Sequence, residues 1–189
     1  MLQRKPQSSP LDFARDKLCQ IKTRREIAMH LQPATLEDLK SVASWITSAR
    51  ECELWAGWRV KFPIDLESLP AELEFQKVPA FALYDEGQIV AFGQIGRREV
   101  NRGALGRIIV SPAARRRGYG EYLVRSLIDN AKAQGCVNVS LYVDRLNPAA
   151  LALYAKLGFR DEAPPIHRPE TAGSYYMELD LSGSQASGA

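Results

Sequence analysis

The chain has 189 residues, 46% of them apolar, 25% charged and 8% aromatic, with a formal net charge of +3; this is the composition of one globular domain of about 100 to 200 residues. No window reaches the roughly 18 uninterrupted apolar residues of a membrane span, and Arg4-Lys5 is not followed by the apolar run of a signal peptide, so no membrane partner and a cytoplasmic location are expected. The cysteines Cys19, Cys52 and Cys136 form no C-x-x-C pair, which predicts free thiols, with Cys136 buried, rather than a disulfide framework or a Cys-based zinc site.

The charge is unevenly placed. Residues 1–28 hold seven Lys/Arg against three Asp/Glu, leaving 18 basic and 19 acidic residues beyond them. A nearly neutral body lacks the broad positive field of non-specific nucleic-acid binding, so no nucleic-acid partner is expected. The stretch 1–28 reads as an extension, poorly ordered or holding a short helix with Leu11, Ala14, Leu18 and Ile21 on one face. A functional domain over 29–181 and a small, polar, disordered tail over 182–189 complete the expected organisation.

In chain order, 30–34 reads as a short strand, and Thr35 followed by Glu37 and Asp38 reads as an N-cap with acids in the first turn. Leu39, Val42, Ala43 and Ile46 then give a helix over 36–48 its apolar face. The segment 51–73 is looser, aromatic-rich and interrupted by Gly and Pro, with a helix entry near Asp65. Residues 80–84 and 88–95 are strand-like runs joined by Asp85-Glu86-Gly87, a hairpin signal. A turn at 101–103 leads into 104–110, so three antiparallel strands are expected.

Past Ser111-Pro112 comes a basic, Gly-bearing loop and a helix over 119–134 with Leu123, Leu127, Ile128 and Ala131 inward, stopped by Gly135. Residues 137–143 alternate as a strand, Asn147-Pro148 opens a helix through Lys156, and Gly158 closes it. A last pair of strands, at 159–160 and 175–181, flanks a Pro-rich loop. His30 and His167 have no second ligand at useful spacing, so no metal is expected.

The stretch from Ile108 to Glu121 carries the most chemistry. It runs from a strand through a basic turn to a helix N-terminus, whose unsatisfied N–H groups and dipole favour an anion. Gly118 and Gly120 permit close backbone approach, and Arg115, Arg116 and Arg117 add charge around the same point. A P-loop is excluded on spacing, and Gly118-x-Gly120 has Leu123 where a Rossmann fingerprint needs Gly. Taken alone, the glycines read equally as caps and the arginines as a solvated turn.

Two motifs together resemble the GNAT superfamily of N-acetyltransferases. Arg115-x-x-Gly118-x-Gly120 after Val110-Ser111-Pro112 is similar to that family's acetyl-coenzyme A signature. Asn147, followed seven residues later by Tyr154 and then by Leu157-Gly158-Phe159, is similar to its second conserved segment. The resemblance covers about 29–181 and implies an α/β fold, a mixed central sheet of six to seven strands flanked by about four helices, splayed between its fourth and fifth strands.

It also implies roles. The backbone of Ile108, Ile109 and Val110 would pair with the pantetheine arm of acetyl-coenzyme A, the co-substrate. Arg115 and the amides of Arg116, Arg117, Gly118, Tyr119, Gly120 and Glu121 would surround the pyrophosphate. Asn147 would contact the pantetheine arm, and Tyr154 would aim its phenol at the sulfur. A departing thiolate near pKa 8.5 against a phenol near 10 makes full proton transfer uphill by roughly 2 kcal/mol, so hydrogen-bond donation is the expected role.

Relatives that acetylate ribosomal-protein N-termini carry a glutamate where this chain has Tyr142. Glu99, near the end of the third strand, is therefore the candidate general base, with Asp144 behind it and an exposed hairpin acid as the plainer reading of Glu99. Trp55, Trp58 and Phe62 fall where the family places acceptor loops and are candidates for an apolar acceptor wall, or for the core of the first helix pair. The expectation is transfer of acetyl to a primary amine of a small molecule or peptide. Acetylation of protein N-termini or lysines is the alternative, and a non-catalytic acyl-coenzyme A sensor another. The oligomeric state stands at monomer or homodimer.

Overall fold

The strand-like runs at 80–84 and 88–95 lie within a mixed seven-stranded sheet in the computed structural model, which describes residues 29–166 and 169–182. The strands are β1 (His30–Pro33), β2 (Ala80–Asp85), β3 (Gln88–Glu99), β4 (Arg102–Val110), β5 (Asn138–Asp144), β6 (Arg160–Asp161) and β7 (Ser174–Asp180), in the spatial order β1-β2-β3-β4-β5-β7-β6. The helices are α1 (Leu36–Ser44), α2 (Ala49–Ala56), the single turn α3 (Leu69–Glu72), α4 (Tyr119–Ala133) and α5 (Pro148–Lys156). The expected α/β sheet is present, with one helix more than anticipated.

That extra helix comes from the interval between 44 and 49. The predicted helix over 36–48 stops at Ser44, and a second begins after Ser48, whose hydroxyl accepts from the Glu51 amide at 3.2 Å. The Glu51 carboxylate in turn accepts from the amide and the hydroxyl of Thr47, both at 2.8 Å. These bonds turn the chain, so the stretch expected to be loose opens as the ordered helix α2.

One face of the sheet packs against α4 and α5 through Leu123, Leu127, Val139 and Phe159, and Cys136 is buried there as expected. The other face packs against α1, α2 and α3 through Leu39, Val42, Trp55, Leu69 and Phe92. Buried Gln94 ties the loop behind α3 to the sheet, its side-chain amide donating to the carbonyls of Leu73 and Val78 at 3.1 and 3.3 Å.

Two irregularities position the site. The β3–β4 register skips between Phe92↔Ile109 and Gln94↔Gly106, so Gly93 faces the extra residue of a bulge in β4. A Cβ on Gly93 would lie 2.6 Å from the Ile108 side chain, so only glycine lets Ile108 settle over β3 against α4. The second is the parallel β4–β5 pairing, which runs only from Arg102↔Asn138 to Ala104↔Ser140. β5 stays paired with β7 along its whole length, and a cleft opens beside the rest of β4.

Candidate active site

Local sequence places an uncapped helix end in that cleft. The helices α1, α2 and α5 are each capped by a side chain, from Thr35, Ser48 and Asn147. The longest helix, α4, begins at Gly118 with no side-chain cap. Gly118 has φ +88°, in the left-handed region, and Arg116 shares that region at +65°. The turn thus presents the first backbone amides of α4, which have no carbonyl four residues back, to the cleft.

The cleft has a volume of about 450 Å³ and is lined by Ile108, Ile109 and Val110, by Arg115, Arg116, Gly118, Tyr119 and Gly120, and by Asn147 and Tyr154. Arg117 and Glu121 do not line it. Arg117 is exposed, and the Glu121 carboxylate pairs with Lys156 and Arg125 at 2.5 and 2.9 Å, which hold it below the usual carboxylate range. The opposite wall, from Trp45, Ile46, Glu51 and Leu54, was not anticipated. The Ser48-x-x-Glu51 capping spacing was the available sign that a helix would bring those residues there.

Asn147 accepts from the Ala150 amide at 3.2 Å, a bond that starts α5 and so sets the direction in which Tyr154 projects two turns later. Tyr154 is buried, edge-on to Phe159 at 5.7 Å between centroids, and its hydroxyl has no hydrogen-bond partner among the described residues. Burial pushes its pKa well above the ordinary phenol value. It is a proton-bearing donor facing the cleft, not a base.

A second cleft of about 360 Å³ lies on the other side of Trp55, which lines both. The Trp55 indole N–H donates to the carbonyl of Arg107 at 2.9 Å, at the β4 bulge where Arg107 has φ +52°. The second cleft takes in Trp58, Arg98, Arg107, Tyr142, Asp144 and Glu170. Trp58 is exposed there, beneath the Arg59 guanidinium.

Two candidates fall elsewhere. Glu99 is exposed at the end of β3, opposite Arg102, and therefore at the closed end where β4 still pairs with β5. The strand order puts it away from both clefts. Phe62 is exposed in the loop after Val60 and lines neither cleft. Asp144 does line the second cleft, but its Oδ1 accepts from Arg50 at 2.9 Å and from the Leu146 amide at 2.7 Å. No group of three or more His, Cys, Asp or Glu able to hold a metal occurs among the described residues, His167 lying outside them. No helix among them is long and apolar enough to cross a membrane.

A mixed sheet splayed beside an uncapped helix N-terminus forms a cleft suited to an anionic ligand. Residues 42–159 match the Acetyltransferase (GNAT) family, and the chain belongs to that family. It is 36% identical over 81 residues to the [ribosomal protein bS18]-alanine N-acetyltransferase of Escherichia coli, 43% of this chain and 54% of that one. It is also 36% identical over 101 residues to the mycothiol acetyltransferase of Renibacterium salmoninarum, 50% of this chain and 30% of that one. The chain thus spans about half or less of these curated relatives. Its fold is similar to that of YncA from Salmonella typhimurium, a structure holding acetyl-CoA, with a TM-score of 0.61 and 20% identity over 86% of this chain and 99% of that one.

Proposed function

We propose that the chain transfers acetyl from acetyl-coenzyme A to a primary amine of a small molecule or peptide, by direct attack of the amine within the domain 29–181. The observation that carries this reading is the pairing of an uncapped α4 N-terminus with an unpartnered, buried Tyr154 phenol in one cleft beside the unpaired end of β4. A side-chain cap would take up one of the amides that such an end can offer a pyrophosphate.

The residues present fit acetyl-coenzyme A. The backbone at Gly118 and Gly120, which lines the cleft, would hold its pyrophosphate, with Arg115 and Arg116 adding charge. The β4 backbone at Ile108 to Val110, unpaired on its β5 side, would take the pantetheine arm. The co-substrate supplies an acetyl thioester and leaves as a thiol. Tyr154 donates a hydrogen bond to the sulfur as negative charge gathers there; its raised pKa makes outright loss of its proton costlier than for an ordinary phenol. The amine reaches the thioester from the second cleft past Trp55 and must shed a proton, since an alkylamine has a pKa of about 10.4.

The second reading, acetylation of a protein N-terminus, is favoured by the match to the bS18-alanine enzyme and opposed by Tyr142 at the glutamate position. Free-thiol release from acetyl-coenzyme A, scanned over small amines, peptides with a free N-terminus and lysine peptides, tests both. Amine-dependent release supports transfer, and the preferred class chooses the acceptor. Tight acetyl-coenzyme A binding with no release from any amine would leave a sensor module instead.

A further inference from the structure

The charges of the second cleft are unevenly paired. Its acids Glu53 and Asp144 share one partner, Arg50, at 2.7 and 2.9 Å. Of its arginines, Arg59 pairs with Glu74 at 3.1 Å, and Arg98 lies 5.1 Å above the Tyr142 ring with no acid bound to it among the described residues. Arg107 is partly buried and makes no side-chain hydrogen bond or ion pair among the described residues. Its backbone is held at both sides, by the bulge in β4 and by the Trp55 indole on its carbonyl.

A guanidinium does not give up its proton in the physiological range, so a partly buried one without a counter-ion stays charged and under-solvated. Burial, and next the positive charge of Arg59, push the pKa of Arg107 down; Glu74, which pulls the other way, is already bound to Arg59. Such a group is completed by an anion presented from the open side. The planar fork of arginine suits a carboxylate or a phosphate.

We propose that Arg107, with Arg98 across the same cleft, receives an anionic group of the acceptor, a carboxylate or phosphate carried on the same molecule as the reacting amine. This rests on the acetyltransferase reading, because it makes the second cleft the acceptor site. Glu170, the cleft acid with no ion pair among the described residues, leaves room at the same site for the positive end of such an acceptor.

The test compares matched acceptors on the full chain: an α-amino acid and an ω-amino acid against their amides, and phosphoethanolamine against ethanolamine. Thiol release should favour the anionic member of at least one pair by about 10-fold or more in kcat/KM. The carboxylate and phosphate arms identify the source of the anion. Arg107→Gln should raise KM for anionic acceptors about 10- to 100-fold, leave kcat and the neutral acceptors nearly unchanged, and be partly rescued by Arg107→Lys. Equal rates for anionic and neutral members in the unaltered protein, or equal losses for both in Arg107→Gln, would overturn the proposal. If nothing turns over, calorimetric titration of the same pairs into the coenzyme A-loaded chain decides: tighter binding of anionic members, lost in Arg107→Gln, supports the site, and equal binding overturns it. Acetyl-coenzyme A is titrated separately, and its failure to bind would overturn the underlying transferase reading while the pairs, titrated without nucleotide, still decide the anion site.

Discussion

The indole nitrogen of Trp55 sits 2.9 Å from the carbonyl oxygen of Arg107, joining the last turn of α2 to the bulge of β4. That one bond holds an arginine in the left-handed region, where a side chain with a Cβ is uncomfortable, and thereby fixes the strand beside which both clefts open. Trp55→Phe keeps most of the ring and deletes the donor. We expect a stability loss of about 1 kcal/mol in denaturant melts and an affinity for acetyl-coenzyme A several-fold weaker by calorimetry. Unchanged values in both would mean that the bulge holds itself.

Tyr154→Phe removes the hydroxyl proposed to donate to the leaving sulfur and retains its edge contact with Phe159. Fold and acetyl-coenzyme A affinity should survive, while kcat falls about 10- to 1000-fold once an acceptor is known. Because burial raises the phenol pKa, this deficit should be the same factor at every pH from about 6 to 10. A deficit that vanishes as the pH rises through that window would assign the phenol an ordinary pKa and a different role.

The two glycines of the turn should fail differently. Gly118 has open space where a Cβ would stand but a φ of +88°, so Gly118→Ala acts on the backbone and should cost about 1 kcal/mol of stability. Gly120 has an ordinary helical backbone, and its added Cβ would lie 3.4 Å from Val110 and 3.6 Å from Leu153. Gly120→Ala should therefore be tolerated, while the bulkier Gly120→Val fills the cradle and weakens cofactor binding at unchanged melting temperature. Paired melts and titrations separate the two. Gly120→Val unfolding the protein would contradict the spacing.

Acid should loosen the wall that faces this turn. The Glu51 carboxylate is held below its usual range first by the Thr47 amide and then by the Thr47 hydroxyl. A depressed folded-state value means that the contribution is present above the unfolded value near 4.3 and is lost as the pH falls through the lower folded one. Glu51→Gln should consequently destabilise the protein at neutral pH and make progressively less difference as the pH falls below about 4. Urea midpoints across that range report it, and a constant offset at all pH values would show that the carboxylate's charge is not involved.

The sheet and most helix ends were legible because local chemistry and global packing agree along them. Thr35 and Asn147 each open a helix and Gly135 and Gly158 each follow one as their residue types require, and the β-rich runs of β2 and β3 pair as a hairpin. The wall of the first cleft beside α1 and α2 was not legible, because Trp45, Ile46 and Leu54 look like ordinary core residues until the Ser48 cap turns the chain between the two helices. The distance of Glu99 from the clefts was not legible, because a carboxylate near a strand end looks equally available at either end of a sheet; only the β4–β5 register tells which end is open. Arg107 was passed over inside an apolar strand. A charge amid Leu105, Ile108 and Ile109 was itself the sign that the strand bulges there.

The short zipper between β4 and β5 also bears on how the protein avoids its own kind. A row of unpaired strand amides and carbonyls is a template for aggregation wherever another sheet can reach it. Here the two outer edges are kept brief: β1 is four residues ending in Pro33, and β6 is two. The longer open row, along β4 beyond Ala104, is recessed between its own halves of the sheet, with α4 and α5 on one side and α2 on the other. A thin chain can slip in and satisfy those groups, but a neighbouring molecule's strand, carrying its own sheet behind it, is too thick to follow.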